Sequence, residues 1–259
     1  MTLSDILSPS FESILKAVPK QPTDVLWKRC LSIGSQFCEA VVGAGYLSWE
    51  QMVNASCRYC LGCSCQGGVI FWQIDQEGRV HDGKVMYYLP DCHRDKDRHP
   101  TWVSNLLCRR YHWQDCQQTS HCFFGLHLLS EKLRVKSEEG IARRPEGKSQ
   151  FATAVVEAEK TAVIMSELCP QYIWLAAGGL WALQPDLFRP LRGRKVILFP
   201  DTDEDGTAFR RWYDVAQTVM ASPFWEDSPP IRVSPILELK ASPAQKSAKI
   251  DLIDYIFEH

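Results

Sequence analysis

No apolar run in the sequence approaches the roughly 20 residues of a membrane-spanning helix, which excludes a helical span. The first 25 residues, with Asp5, Pro9, Glu12, Lys16, Pro19 and Pro22, lack the charged-then-apolar layout of a signal peptide. The expectation is a cytoplasmic protein with no membrane partner. Charge of neither sign is in excess: 29 Lys and Arg stand against 31 Asp and Glu, a formal net charge of −2. That balance excludes a surface coated in basic patches, so any contact with nucleic acid must be local, modest and salt-sensitive. Internal repeats and low-complexity tracts are also missing, which argues against a repeat architecture.

Cysteine, by contrast, is plentiful. Eleven is an odd count, and without an export signal a disulfide framework is not expected. Cys57, Cys60, Cys63 and Cys65 are thiolate-dense enough for zinc or an iron–sulfur cluster. Structural zinc sites usually draw two ligand pairs from separated knuckles, whereas these four fall in one run of nine residues that flows into a strand. The expectation is no zinc, with these four as the only candidates.

At 259 residues the chain can bury one large core or two modest ones. Residues 1–55 read as a helical N-terminal segment in three pieces, Phe11–Val18, Val25–Val42 and Trp49–Asn54. Residues 56–133 read as a smaller mixed α/β domain. There Val69–Ile74, the turn Asp75-Gln-Glu-Gly78 and the run to Leu89 predict a β-hairpin or meander. Residues 91–122 read as irregular, with Trp102, Tyr111 and Trp113 among Arg94, Lys96, Arg98, Arg109 and Arg110. Aromatic and basic side chains so interleaved can stack bases and pair phosphates; they can equally form a solvated face over a small satellite core. Arg189, Arg192, Arg194 and Lys195 make a second basic run. Cys122–Leu129 is apolar and is expected to dock the two halves, with His127 a satisfied buried histidine. Residues 134–150 have the Gly, Pro and charge of a linker.

Residues 151–259 form the domain around which the rest is organised. Ala152–Val156, Tyr172–Ala176 and Lys195–Phe199 predict strands; Thr161–Leu168, Leu180–Leu191 and Ala208–Met220 predict helices. Ile231–Leu237 is a fourth strand candidate and Ile250–Phe257 a closing helix. Strand-helix alternation with short links implies a parallel sheet, and in such sheets chemistry gathers beyond the carboxyl ends of the strands. Glu157 and the Asp201/Asp203 pair both fall there.

Three chemistries use closely spaced aspartates followed by glycine. An EF-hand loop would match Asp201, Asp203, Asp205 and Gly206, but its twelfth position is Trp212 where a bidentate Glu is required. Asp203-Glu-Asp205-Gly206-Thr207 resembles the signature of haloacid-dehalogenase-type phosphatases, yet only 52 residues follow Thr207, too few for the rest of that core. The third is a divalent-metal site for phosphoryl chemistry, in which hard oxygen ligands suit magnesium or manganese.

Here the residues resemble the Toprim domain shared by bacterial primases, topoisomerases and some nucleases. Val155-Val156-Glu157-Ala158 is similar to its first motif, and Asp201-Thr-Asp203-Glu-Asp205-Gly206 to its Asp-x-Asp motif, with Ala176-Ala177-Gly178-Gly179 at the small-residue turn between. Upstream, Val69–Gly78, Gly83-Lys84 and Phe124-Gly125-Leu126 resemble the polymerase half of bacterial primases, while Asp251-x-x-Asp254-Tyr-Ile resembles the closing element of phage and plasmid primase-helicase units. From about Tyr46 onward the chain resembles primase-like Toprim proteins of conjugative and mobilizable elements, in which Tyr59, Gly62 and Ser64 would sit in an ordinary loop. Residues 1–55 carry no ligand set for the zinc ribbon that primase relatives use to read template.

The resemblance implies a Rossmann-like parallel sheet with flanking helices, preceded by the smaller primase-like domain. It implies a DNA-primase-type nucleotidyltransferase in which Glu157, Asp201 and Asp203 are catalytic and, with Asp205, hold magnesium or manganese. Lys84, Arg94, Lys96, Arg98, Arg109, Arg110 and Lys160 would contact nucleic acid, with single-stranded DNA and a helicase or other replication or mobilization protein as partners. The alternative is a Toprim scaffold kept only for binding.

Overall fold

A computed structural model describes residues 31–111, 121–130 and 151–257, without the side chains of Arg110 and Tyr111. Most of the expected N-terminal segment and the linker at 134–150 lie outside the described residues. The chain divides into two compact units: residues 1–122 with 126–139, and residues 123–125 with 140–259.

In the first unit, α1 (Gln36–Gly43) starts where the Ser35 hydroxyl accepts from the Cys38 N–H. The helix expected over Val25–Val42 therefore begins no earlier than Gln36 within the described chain. Helix α2 (Trp49–Tyr59) opens on a reciprocal cap between Ser48 and Gln51. It runs five residues past the expected Asn54, so Tyr59 is helical and buried instead of lying in a loop. An antiparallel sheet follows in the order β1 (Gly62–Cys63), β2 (Val69–Ile74), β3 (Val80–Met86), β4 (Thr101–Trp102). The expected hairpin is β2–β3, and its turn is held by the Asp75 carboxylate, which accepts from the N–H groups of Glu77 and Arg79 at 3.0 and 2.9 Å. Phe37, Phe71 and Tyr88 pack ring to ring in the core beside it. Gly83 pairs with Trp72 across the hairpin, and a Cβ there would stand 2.6 Å from the indole ring, so only glycine fits.

Residues 91–122 are less irregular than expected. Strand β4 leads directly into α3 (Val103–Tyr111), whose first turn is capped from β3: Asp82 accepts from the Ser104 N–H at 3.0 Å and from the Ser104 hydroxyl.

The second unit is a parallel sheet in the order β6 (Tyr172–Ala176), β5 (Ala152–Val156), β7 (Val196–Phe199), β8 (Arg232–Val233). Helix α4 (Glu159–Leu168) joins β5 to β6, and α5 (Thr207–Met220) follows β7. Strands β5, β6 and β7 are apolar and largely buried, as strands covered on both faces must be. Two expectations fail here. Leu180–Leu191 is no α-helix; Pro185 and Pro190 reduce it to a 3-10 stretch over Pro185–Leu191. Ile231–Leu237 gives only the two-residue β8 before Pro235, and α6 (Ile236–Lys240) takes the rest. Short helices α7 (Pro243–Ala248) and α8 (Leu252–Phe257) close the described chain. Phe124 pairs with Ala176 at the edge of β6, so residues 123–125 belong to this unit and Leu126–Leu129 to the first.

Candidate functional site

Register fixes the site. Val156 at the end of β5 is level with Ala176 of β6 and Phe199 of β7, so the three strands stop together. The chain leaves β5 for β6 on one side and returns to β7 on the other, which makes the end of β5 a topological switch point. Glu157 stands on that end and Asp201 two residues beyond β7. The Asp201 N–H donates to Glu157 Oε1 at 3.2 Å.

Asp203 lies at the start of α5, where its two oxygens accept from the N–H groups of Thr207 and Ala208 at 2.7 and 3.0 Å. It therefore caps the helix in addition to facing Glu157 electrostatically. Gly206 takes the left-handed conformation, φ 64°, that turns the loop into the helix. Asp205 is exposed on this turn.

The C-terminal segment adds two carboxylates whose place here the sequence did not disclose. Thr202 N–H donates to the Ile250 carbonyl at 3.2 Å, bringing Asp251 and Asp254 against the loop. Lys160, in the first turn of α4, bridges them: its Nζ is 3.1 Å from Asp251 Oδ2 and 3.5 Å from Asp254 Oδ1. Thr161 Oγ1 donates to Asp251 Oδ2 at 2.7 Å. Lys160, expected to contact nucleic acid, is buried here as a counter-ion to Asp251 and Asp254, which the chain brings to its ammonium from about ninety residues away.

The charges sort the carboxyls into two kinds. Burial, with Asp203 and Asp251 adding repulsion against the Asp201 N–H, pushes Glu157 up to about 7. Burial and then the charges of Glu157, Asp251 and Asp254 hold Asp201 well above its ordinary range, with Lys160 opposing. Asp251 is buried too, but Lys160, the Asp254 backbone and Thr161 outweigh that and hold it below its ordinary value. The site therefore holds a lysine satisfied by two carboxylates, and two further carboxyls, Glu157 and Asp201, that resist ionisation. Among the described residues no three His, Cys, Asp or Glu side chains are gathered closely enough to hold one ion between them. Magnesium commonly binds through one or two carboxylates, with water and substrate oxygens completing its shell. Any ion held here would draw on no more than two of these carboxylates.

The expected basic residues belong to the first unit, Lys160 apart. Lys84 is half-buried in β3 opposite Trp102; Arg94, Lys96 and Arg109 are exposed. The Arg98 guanidinium lies over the Tyr87 ring at 3.2 Å and donates to Gln66 Oε1 at 2.8 Å, in a cleft of about 400 Å³ that Arg109 also lines. Arg110 has no described side chain. The four cysteines are spread over three elements: Cys57 on α2, Cys60 at its left-handed C-cap, Cys63 in β1 and Cys65 in the following turn. Burial foremost pushes the Cys60 thiol up to about 11, so it resists becoming a thiolate. His127 is buried with Nε2 on the Arg58 carbonyl at 3.0 Å, while its Nδ1 has no hydrogen-bond partner among the described residues.

Fold and site together define a two-unit α/β protein with one antiparallel and one parallel sheet, helices flanking both, and an acidic group at the parallel sheet's switch point. The chain belongs to the family described as Domain of unknown function (DUF6371), whose model matches residues 36–202, more than half of its length. That match takes in Glu157 and Asp201 and stops short of Asp203, Asp251 and Asp254. The chain is similar to the primase fragment of the bacteriophage T7 primase-helicase protein at 17% identity and a TM-score of 0.37. The similarity covers 76% of this chain and 60% of that fragment, so the chain spans about 60% of its length. No curated protein matches. No described helix is long and apolar enough to cross a membrane.

Proposed function

We propose that this chain is a primase-like Toprim protein that carries out metal-dependent nucleotidyl or phosphoryl transfer on nucleic acid, in the replication or transfer of a mobile element. The observation that carries it is the meeting of Glu157 and Asp201 at the switch point, where the Asp201 N–H donates to Glu157 Oε1 and burial foremost holds both carboxyls above their ordinary range. Structural carboxylates are usually stabilised as anions by their partners, as Asp251 is; groups left strained are candidates for chemistry.

Asp201 and Asp203 would hold magnesium or manganese, which neutralises charge on phosphate oxygens when bound. Glu157, with its proton poised near neutrality, would take a proton from the attacking hydroxyl. Asp203 would stay fixed by the N–H groups it caps, and Asp251 would hold the Lys160 ammonium beside the site. The exposed basic side chains of the first unit would meet the backbone of single-stranded DNA, and a helicase or other replication or mobilization protein would be the protein partner.

The test is primer synthesis on single-stranded DNA with magnesium or manganese. The expected result is an oligonucleotide product from wild type and none from Asp201→Asn. The absence of product from wild type with either ion would contradict the primase reading.

The Lys160 ion pair favours a second reading, in which the ammonium serves as the site's permanent cation and the scaffold only binds. That reading expects no response to magnesium or manganese by any measure.

A further inference from the structure

The parallel-sheet unit exposes one large aromatic on the loop that leaves its carboxyl edge. Trp181 is 65% exposed, beyond the end of β6, and nothing in the fold requires an indole in water there. Gly178 and Gly179, at φ 93° and 143°, turn the chain off the sheet just before it. The loop is pinned at its root: Ala177 N–H donates to the Val156 carbonyl at 3.0 Å and Gly178 N–H to the Glu157 carbonyl at 2.9 Å. It is pinned again on α5, where Trp212 Nε1 donates to the Leu180 carbonyl at 3.4 Å. Trp181 is thus presented from a fixed loop, and only its ring is free.

The next residue of α5 back from Trp212 completes the arrangement. Arg211 places its guanidinium 5.1 Å from the centre of the Trp181 ring, within cation–π range. Its Nε is buried with no hydrogen-bond partner, and among the described residues no carboxylate pairs with it. The cation is therefore held by the ring and keeps its charge, which makes the indole electron-withdrawn and backed by positive potential. A nucleobase stacks well on such a surface, and its phosphate is drawn to the charge behind it.

Position ties this surface to the acidic site. Trp181 is three residues past Gly178, so its backbone lies at most about 11 Å from that glycine, whose N–H bonds the Glu157 carbonyl. Arg211 is one helical turn, about 6 Å, past Thr207, whose N–H is capped by Asp203. Arg211 thus shares α5 with the N–H groups that Asp203 caps, and the Trp181 loop is bonded at its root to the backbone of Glu157.

We propose that Trp181, backed by Arg211, is a stacking platform for one base of single-stranded nucleic acid at the rim of the acidic site. It rests on the nucleic-acid reading above and adds the means by which the strand is held. Base-on-aromatic stacking tolerates any sequence, so the platform grips a strand without reading it.

The test is equilibrium binding of the full chain to two labelled single strands of equal length and charge, oligothymidylate and its abasic counterpart, in chelator without divalent metal. Wild type is expected to bind oligothymidylate more tightly than the abasic strand. Trp181→Ala should weaken oligothymidylate binding about tenfold and abasic binding little, while Trp181→Phe retains most of the preference. Because Trp181 is exposed, its variants should melt with wild type, which checks the fold. If Trp181→Ala leaves the preference unchanged, or if wild type binds both strands alike or neither, the platform is overturned. A magnesium-induced rise in melting temperature is read separately, without nucleic acid. Losing the base preference while keeping that rise sinks the platform alone; the reverse sinks the metal site alone.

Discussion

The backbone N–H of Asp201 donates to the Glu157 carboxylate at 3.2 Å, so the ends of β5 and β7 are fastened by a group that also raises the cost of ionising its neighbour.

The first prediction concerns pH in metal-free protein. Glu157 stands at about 7 against its usual 4.5, because burial and the charges of Asp203 and Asp251 disfavour its anion. The folded state thus binds a proton between those values that the unfolded state has released, and stability falls as pH rises through the window. The loss should be on the order of 2 kcal/mol between about pH 5 and about pH 8. Glu157→Gln, which mimics the protonated form, should flatten that slope in denaturant melts run in chelator. An unchanged slope would remove Glu157 as its source.

Lys160 should behave as a buried counter-ion. Lys160→Met strands Asp251 and Asp254 in a buried site, which typically costs about 3–5 kcal/mol. Adding Asp251→Asn to that variant should recover part of the loss in the same urea titration. A surface lysine used only to bind nucleic acid would give a near-neutral substitution.

Asp203 carries a structural duty that its motif does not reveal. Asp203→Ala should cost about 1 kcal/mol through the lost cap on α5, and Asp203→Asn less, since one oxygen can still accept. Thermal melts without metal would show it. Equal stability of all three proteins would mean the cap is not formed in solution.

In the first unit, Gly83→Ala places a methyl 2.6 Å from the Trp72 ring, which is fully buried and cannot retreat. Overpacking of this kind costs about 1–3 kcal/mol. Gly78→Ala has open space around its Cβ and is strained only by its φ of 82°, so it should cost less. A reversed order in denaturant melts would contradict the β2–β3 register.

The elements legible in the sequence were those set by local pattern. β2, β5, β6 and β7 are apolar runs bounded by turn residues, and Glu157 and Asp201 could be placed because strand ends in a parallel sheet are level. What stayed hidden was set from a distance. Helix α3 has no capping residue of its own; Asp82, twenty-two residues earlier, supplies the cap. Lys160 reads as a surface cation until α8 delivers Asp251 and Asp254 to it. The helical spacing over Leu180–Leu191 gives no sign that Trp181 stands exposed on a turn before a 3-10 stretch.

The proposal that Asp201 and Asp203 hold a divalent cation beside Glu157 is tested most directly by a thermal melt of wild type and Asp201→Asn with chelator, millimolar magnesium or millimolar manganese. A ligand that binds only the folded state raises its melting temperature by mass action. Either ion should stabilise wild type and neither should affect Asp201→Asn, which in chelator should melt no lower than wild type because the Asp201 carboxyl already resists charge. If neither ion shifts wild type, and Asp201→Asn melts well below it, the carboxylates are scaffold and the metal-dependent function is contradicted.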